Sequence, residues 1–209
     1  MSIVSVMDDA SMTFDAVVVG AGSDELIELL GKTYLSSKDS IVISDHAFLR
    51  YRMAADLMDA KTISVPMKNW THDLTAMARA IRPDTKIVFI ANPNNPTGAV
   101  YDKDILEGII KIAAEHNLMV FADEIYDKIL YDGAVHYPMG TLTEKTLCVT
   151  FGGLSKNYRA AGFRGGWAIL SGAKHRAKSY IEGLNLLATL RLCGNVPAQY
   201  AIQTALGGY

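Results

Sequence analysis

Cysteine is nearly missing from this sequence: 209 residues carry two, Cys148 inside an apolar run and Cys193 beside a turn-like Gly194-Asn195-Val196-Pro197. Two isolated thiols cannot build a disulfide framework, and they predict a reducing compartment with both side chains acting as small packing groups. Also missing is any block of like charge. The 20 Lys and Arg and the 22 Asp and Glu are dispersed, with a formal net charge of -2, so nothing tracks a phosphate backbone and nucleic acid is excluded as a partner. No uninterrupted apolar stretch reaches the roughly 18 residues of a membrane span. The opening MSIVSVMDDASMTFD has acidic residues but neither a basic leader nor a long apolar segment, so no signal or transit peptide is read and the expected location is the cytoplasm. Repeats and low-complexity linkers are absent as well, and the length suits one large domain.

What is present is apolar to one half, enough for a sizeable core. Runs rich in Val and Ile recur at 16–20, 40–44, 62–66, 86–91, 118–122, 147–151 and 166–170, the pattern of strands buried on both faces. Between them lie stretches with helical spacing at 24–35, 48–57, 74–81 and 104–116; in the last, Ile105, Ile109, Ile112 and Ala113 fall on one stripe. Strand alternating with helix predicts an α/β protein of three layers, α/β/α, around a mostly parallel seven-stranded sheet. The last strand follows Arg164 too soon for a helical crossover and is expected to run antiparallel. Residues 174–190 and 198–206 read as helix, broken near Gly194–Pro197.

Several runs end in polar or glycine-rich tips: Gly20-Ala-Gly-Ser-Asp24, Ser44-Asp-His46, Asn92-Pro-Asn-Asn-Pro-Thr-Gly98, Asp123-Glu124 and Gly152-Gly-Leu-Ser-Lys156. Ligands of open α/β sheets bind outside the carboxyl ends of the strands, so these tips can converge on one crevice. Lys156, at a strand tip among small residues, is expected to be poorly solvated, which favours the neutral amine that a Schiff base needs; a solvated surface charge is the bland use of a lysine. Asp123 ends the apolar run LMVFA, where a carboxylate demands a cation or donors. It serves a cationic ring nitrogen such as a pyridinium, or it caps a helix over 124–130. Tyr126, one helical turn further and on the same side, is a donor to the same ligand or a core residue with a satisfied hydroxyl. NPNNPTG makes a rigid turn able to hold one amide in place. Gly20–Asp24 opens a helix after a strand and offers free N–H groups to an anion, while Glu25 in the place of a third glycine excludes the dinucleotide fingerprint. Arg164 supplies a planar fork suited to phosphate, and Arg159 is assigned to solvent.

The ordered set NPNNPTG, Asp123-Glu-Ile-Tyr126, Ser155-Lys156 and Arg164 resembles the fold type I, aspartate-aminotransferase-like pyridoxal-phosphate enzymes over nearly the whole chain. Residues 16–98 are most similar to histidinol-phosphate aminotransferases. Residues 99–209, with DEIYDKILYDG, LSKNYRAAGFRGGW and RLCGNVPAQYAIQTALGGY, are most similar to bacterial alanine aminotransferases, a split that reads as divergence or as a chimera. The resemblance implies transfer of an amino group between an amino acid and a 2-oxo acid, with pyridoxal 5'-phosphate as cofactor. It implies Lys156 as the Schiff-base former and proton carrier, Asp123 as partner of the pyridinium nitrogen, and Asn95 and Tyr126 as donors to the phenolic oxygen. Phe48 of HAFLRY matches the aromatic stacked on the ring, and Gly22, Ser23, Asp24, Ser155 and Arg164 would hold the phosphate. No metal is implied, and relatives build the site at a homodimer interface.

Two departures stand out. Gly153 occupies the place, three residues before the lysine, where many members carry a hydroxyl. The resemblance also implies a leading segment with a phosphate-reaching tyrosine, and a small domain after the helices at 174–209 with an arginine for the substrate α-carboxylate. Neither has a match here, so the chain is expected to be a single pyridoxal-phosphate-binding large domain. Three functions stay open: transamination, cofactor binding without useful turnover, and another reaction on the same scaffold such as decarboxylation or racemisation. The apolar stripe of 174–206, left without a cover, predicts self-association.

Overall fold

The computed structural model describes residues 2–3, 17–191 and 194–207, so the acidic opening segment and Cys193 lie outside the described residues. In chain order the elements are β1 (Ser2–Ile3), β2 (Val17–Gly20), α1 (Gly22–Tyr34), β3 (Ser40–Ser44), α2 (Leu49–Asp56), β4 (Lys61–Val65), β5 (Met67–Lys68), β6 (Thr71–His72) and α3 (Leu74–Ala80). There follow β7 (Thr85–Ala91), α4 (Lys103–Glu115), β8 (Met119–Asp123), β9 (Leu147–Gly153), β10 (Gly166–Gly172), α5 (Lys178–Arg191) and α6 (Val196–Ala205). The main sheet is ordered β1-β2-β10-β9-β8-β7-β3-β4. Strands β4, β3, β7, β8 and β9 are parallel. Strand β10 is antiparallel to both neighbours, with Gly166 opposite Gly20 on one side and Gly153 on the other. The seven strands expected from the apolar runs are therefore all in the sheet, with a two-residue edge strand added. The chain steps outward from β3 to β4, then returns to β7 beside β3 and proceeds through β8 and β9. That reversal opens a crevice outside the carboxyl ends of the strands.

The strands alternate their side chains between two helical layers, as a period of two requires. Ile41, Ile43, Ile87, Phe89, Met119, Phe121, Val149 and Phe151 pack against Leu26, Ile27 and Leu30 of α1, Tyr51, Ala54 and Ala55 of α2, and Tyr180, Leu184 and Ala188 of α5. Val42, Val88, Ile90, Val120, Ala122 and Cys148 turn to the opposite side, against Met77 of α3 and Leu106, Ile109, Ile110 and Ala113 of α4. Both faces of the central strands are thus dry, and burial of each large aliphatic side chain contributes roughly 1.5–3 kcal/mol; β4, expected to be buried on both faces, is instead an edge strand with Lys61 and Ser64 exposed. The buried stripe of α4 is centred one residue from its expected place: Ile105 and Ile112 are half-buried flanks. Six apolar positions make that face wide, and contact with the sheet selects its centre.

Two more readings change. Residues 124–130 form a turn rather than a helix, closed by Asp127 N–H to Glu124 O (3.0 Å) and Ile129 N–H to Tyr126 O (2.8 Å). The Glu124 carboxylate is spent on a distant segment, accepting from Met139 N–H at 2.7 Å, instead of supporting a first helical turn. The small β5–β6 hairpin, with Asn69 and Trp70 both at positive φ, had no counterpart in the sequence reading. Cys148 is fully buried, as its apolar run implied. Among the described residues no helix is long and apolar enough to cross a membrane. On α5, α6 and the residue after them, Leu186, Leu190, Val196, Tyr200 and Leu206 remain 55% to 71% exposed.

Candidate active site

Asp123 ends β8 with its carboxylate only 5% exposed. Tyr51 O–H donates to Oδ2 at 2.8 Å and Ile125 N–H to Oδ1 at 3.3 Å. Burial drives its pKa up to about 6, against the opposing pull of those two bonds and of the Lys156 charge. The Asp123 carboxylate therefore caps the turn that follows it, with one donor on each oxygen and acceptor capacity left over. Tyr51, three residues after Phe48 on α2, stacks on Phe89 at 4.7 Å, and burial together with Asp123 holds its hydroxyl far above the ordinary tyrosine range. Tyr51 belongs to HAFLRY and has no predicted task; its signal in the sequence is a tyrosine one turn into a helix that packs on the sheet.

Lys156 lies past the end of β9 on a bend closed by Arg159 N–H to Lys156 O (3.1 Å) and Ala160 N–H to Leu154 O (3.0 Å). Its side chain is exposed, which corrects the expectation of a desolvated amine: three residues beyond Gly153 the chain has already left the sheet. The ammonium nonetheless stays over the crevice, 5.7 Å from the centre of the Tyr126 ring. Gly153 is small for a reason of packing, since a Cβ there would lie 3.0 Å from Ile125 Cδ1 and 3.1 Å from the Gly165 carbonyl oxygen.

An anion cradle faces this pair. Gly22, at φ +84°, begins α1, and an added Cβ would meet Arg164 Nη2 at 2.8 Å. Arg164 donates to the carbonyls of Ala21 (3.0 Å) and Ala161 (3.1 Å), which fixes its guanidinium at the helix start with donors left over. Gly166 brings β10 against the same turn, where any Cβ would strike Ser23 N at 2.6 Å. The Ala21 N–H is taken by Glu25 Oε2 at 2.6 Å, while the first-turn N–H groups of Gly22, Ser23 and Asp24 have no helical acceptor. Asp24 is tied to Arg50, with Nε 2.5 Å from Oδ1, and Arg50 also donates to Glu28 at 3.1 Å. Arg50 thereby pins Phe48 at the head of α2 to the cradle, a link the sequence reading missed. Phe48 is half-buried and meets Tyr51 edge-on at 5.8 Å.

In the turn after β7, Asn92 N–H donates to Asp123 O (3.0 Å), and Asn92 Oδ1 accepts from Tyr101 N–H (3.0 Å). Asn94 holds Thr97 and the His46 carbonyl. These asparagines are committed to the turn. The half-buried Asn95 makes no side-chain hydrogen bond among the described residues, so its amide is at liberty to serve a ligand; Asn92 Nδ2 is also without a partner, but it is buried beneath the turn. Ser155 is half-buried beside Lys156, and Leu154 N–H to Gly165 O (3.0 Å) joins that bend to the Arg164 loop. All the predicted site residues thus stand at one end of the sheet. The crevice is an open face, with Lys156 and Arg164 exposed and Tyr126 and Phe48 half-exposed.

The family described as aminotransferase class I and II matches residues 9–209. The chain belongs to that family. Members of the class I and II aminotransferases depend on pyridoxal phosphate. The chain is 48% identical over 200 residues to the glutamate-pyruvate aminotransferase AlaA of Haemophilus influenzae, covering 94% of this chain and 50% of that protein. It is 37% identical over 156 residues to the histidinol-phosphate aminotransferase of Moorella thermoacetica, covering 73% of this chain and 40% of that one. The crystal structure of an Escherichia coli aminotransferase superposes with a TM-score of 0.89 at 48% identity, over 92% of this chain and 48% of that chain. The chain spans about half the length of the relatives it matches, and its similarity to the AlaA protein runs through both parts of the sequence that resembled different aminotransferases.

Proposed function

We propose that this chain binds pyridoxal 5'-phosphate and forms the cofactor-holding core of an aminotransferase that exchanges an amino group between an amino acid and a 2-oxo acid. The observation that carries the reading is the buried Asp123 carboxylate, fixed by two donors and within electrostatic reach of Lys156, at a crevice whose far wall is an anion cradle. The residues present fit that cofactor: an acid for a ring cation, an amine for an aldehyde, and helix-start N–H groups with Arg164 for a phosphate. When bound, the cofactor supplies the aldehyde and the electron-accepting ring.

Every other task falls to the chain. Asp123, with a pKa near 6, is mostly ionised at neutral pH although dehydrated, and it gains from a ring N–H⁺ what burial took away. Asn95 and Tyr126 would donate to the cofactor's phenolic oxygen. Phe48 would lie against its ring, and Gly22, Ser23, Asp24, Ser155 and Arg164 would hold its phosphate. Lys156 would supply the amine that the aldehyde needs, and its Nζ is the base available to carry a proton from the substrate Cα. The relative named for glutamate and pyruvate supports glutamate as the amino-group donor and pyruvate as the acceptor. A second copy packs on the exposed apolar residues of α5 and α6 to give a homodimer.

Borohydride treatment after addition of pyridoxal phosphate should fix one cofactor on the peptide containing Lys156, detected by mass spectrometry, and Lys156→Ala should abolish the adduct. An adduct of equal yield in that variant overturns the assignment. In a separate sample not treated with borohydride, alanine or glutamate should convert the cofactor to its amine form; retention without conversion assigns the chain to cofactor binding alone.

A further inference from the structure

Tyr126 and Lys156 each head a short turn, and the residues that follow them are paired in step. Asn157 Nδ2 donates to Asp127 Oδ1, and Lys128 Nζ donates to the Tyr158 hydroxyl at 2.7 Å while lying 4.9 Å from the centre of that ring. Each turn is closed by its own backbone bonds. The β8–β9 ladder stops at Asp123 opposite Phe151, and Glu124 N–H to Phe151 O (3.0 Å) is its last rung. Beyond that rung, these two side-chain pairs are the only hydrogen bonds between the turns among the described residues. The first pair is half-buried, and Asn157 Oδ1 is buried without a donor. An unsatisfied buried acceptor is costly, so stability alone does not account for that amide.

We propose that Asp127–Asn157 and Lys128–Tyr158 act as a double clasp of positioning residues that sets where the Lys156 amine stands relative to Tyr126 and Asp123. The proposal rests on Lys156 being the amine that bonds the cofactor. Without the clasp the lysine bend, exposed and outside the sheet, swings independently of the acid, and the amine meets a bound aldehyde less often in the required geometry. Asp127–Asn157 dominates because it is the more buried; the exposed Lys128 contact contributes less.

The test is the rate of borohydride-trapped attachment of pyridoxal phosphate to Lys156, alongside the urea midpoint and the binding of pyridoxamine phosphate, which has no aldehyde. Asn157→Asp sets two carboxylates against each other and should slow attachment about tenfold, with pyridoxamine phosphate affinity unchanged. Adding Asp127→Asn exchanges the two groups and should restore the rate. Tyr158→Phe, which removes one hydroxyl and is expected to fold, should slow attachment about twofold. Wild-type rates in Asn157→Asp and Tyr158→Phe, or a folded double variant that stays slow, overturn the clasp. Absence of any Lys156 adduct in the unaltered chain overturns instead the functional reading on which it stands.

Discussion

Asp123 and Lys156 stand within electrostatic reach of each other in environments of opposite kind. The acid is 5% exposed at the end of a strand, bonded by Tyr51 and Ile125 and backed by the ring series Tyr51, Phe89, Phe121 and Phe151. The amine lies in solvent on a bend that has left the sheet. The acid side is assembled by the same burial that builds the core, and its chemistry is already shifted in the free protein. The amine side is held by turns, so its surroundings are completed by whatever occupies the crevice.

The strongest way to break this contrast is pH. Folded Asp123 keeps a proton up to about pH 6, whereas the unfolded chain loses it near 3.8. Between those values the native state binds the extra proton, so stability falls as pH rises, by up to about 3 kcal/mol. Asp123→Asn should remove that decline in urea unfolding followed across pH 3 to 7. A separate decline from Glu124, held by burial at about 8 against an ordinary 4.5, should persist in the variant. Parallel curves for both proteins would show that the acid is not desolvated. Next in size, Gly22→Ala places a Cβ at positive φ and against Arg164, for a loss of about 1 kcal/mol by thermal unfolding and weaker protection of the cradle by added inorganic phosphate. Smallest, Lys156→Gln should change the urea midpoint by no more than about 0.5 kcal/mol equivalent, because nothing in the fold leans on an exposed amine.

The same contrast explains what could be read from the sequence. Seven strands and their mostly parallel arrangement followed from runs such as SIVIS and KIVFIA, because burial on both faces leaves a local signature, and the reversed β10 followed from its short connection after Arg164. Asp123 was legible as a charge at the end of such a run. The Asp127–Asn157 and Lys128–Tyr158 pairs were not, since each joins residues 30 positions apart, and neither was the turn that replaces a helix at 124–130, which depends on Glu124 reaching Met139 15 positions on. Tyr51 escaped for the same reason: its partner Asp123 is 72 positions away. The β5–β6 hairpin was hidden because its tip is Asn69-Trp70, and a tryptophan at positive φ carries none of the Asn-Gly signal of a tight turn.

The antiparallel β10 also dictates an order of events during synthesis. Strand β2 and the head of α1 lie beside β10, and Arg164 reaches Ala21 across 143 residues of sequence. At ribosomal speeds of roughly 5–20 residues per second, β2 and the head of α1 wait on the order of ten to thirty seconds for β10 to emerge. The turn at Gly22 is consequently completed later than the surroundings of Asp123, and a chain halted before Gly166 would have its buried acid but no strand seated against that turn.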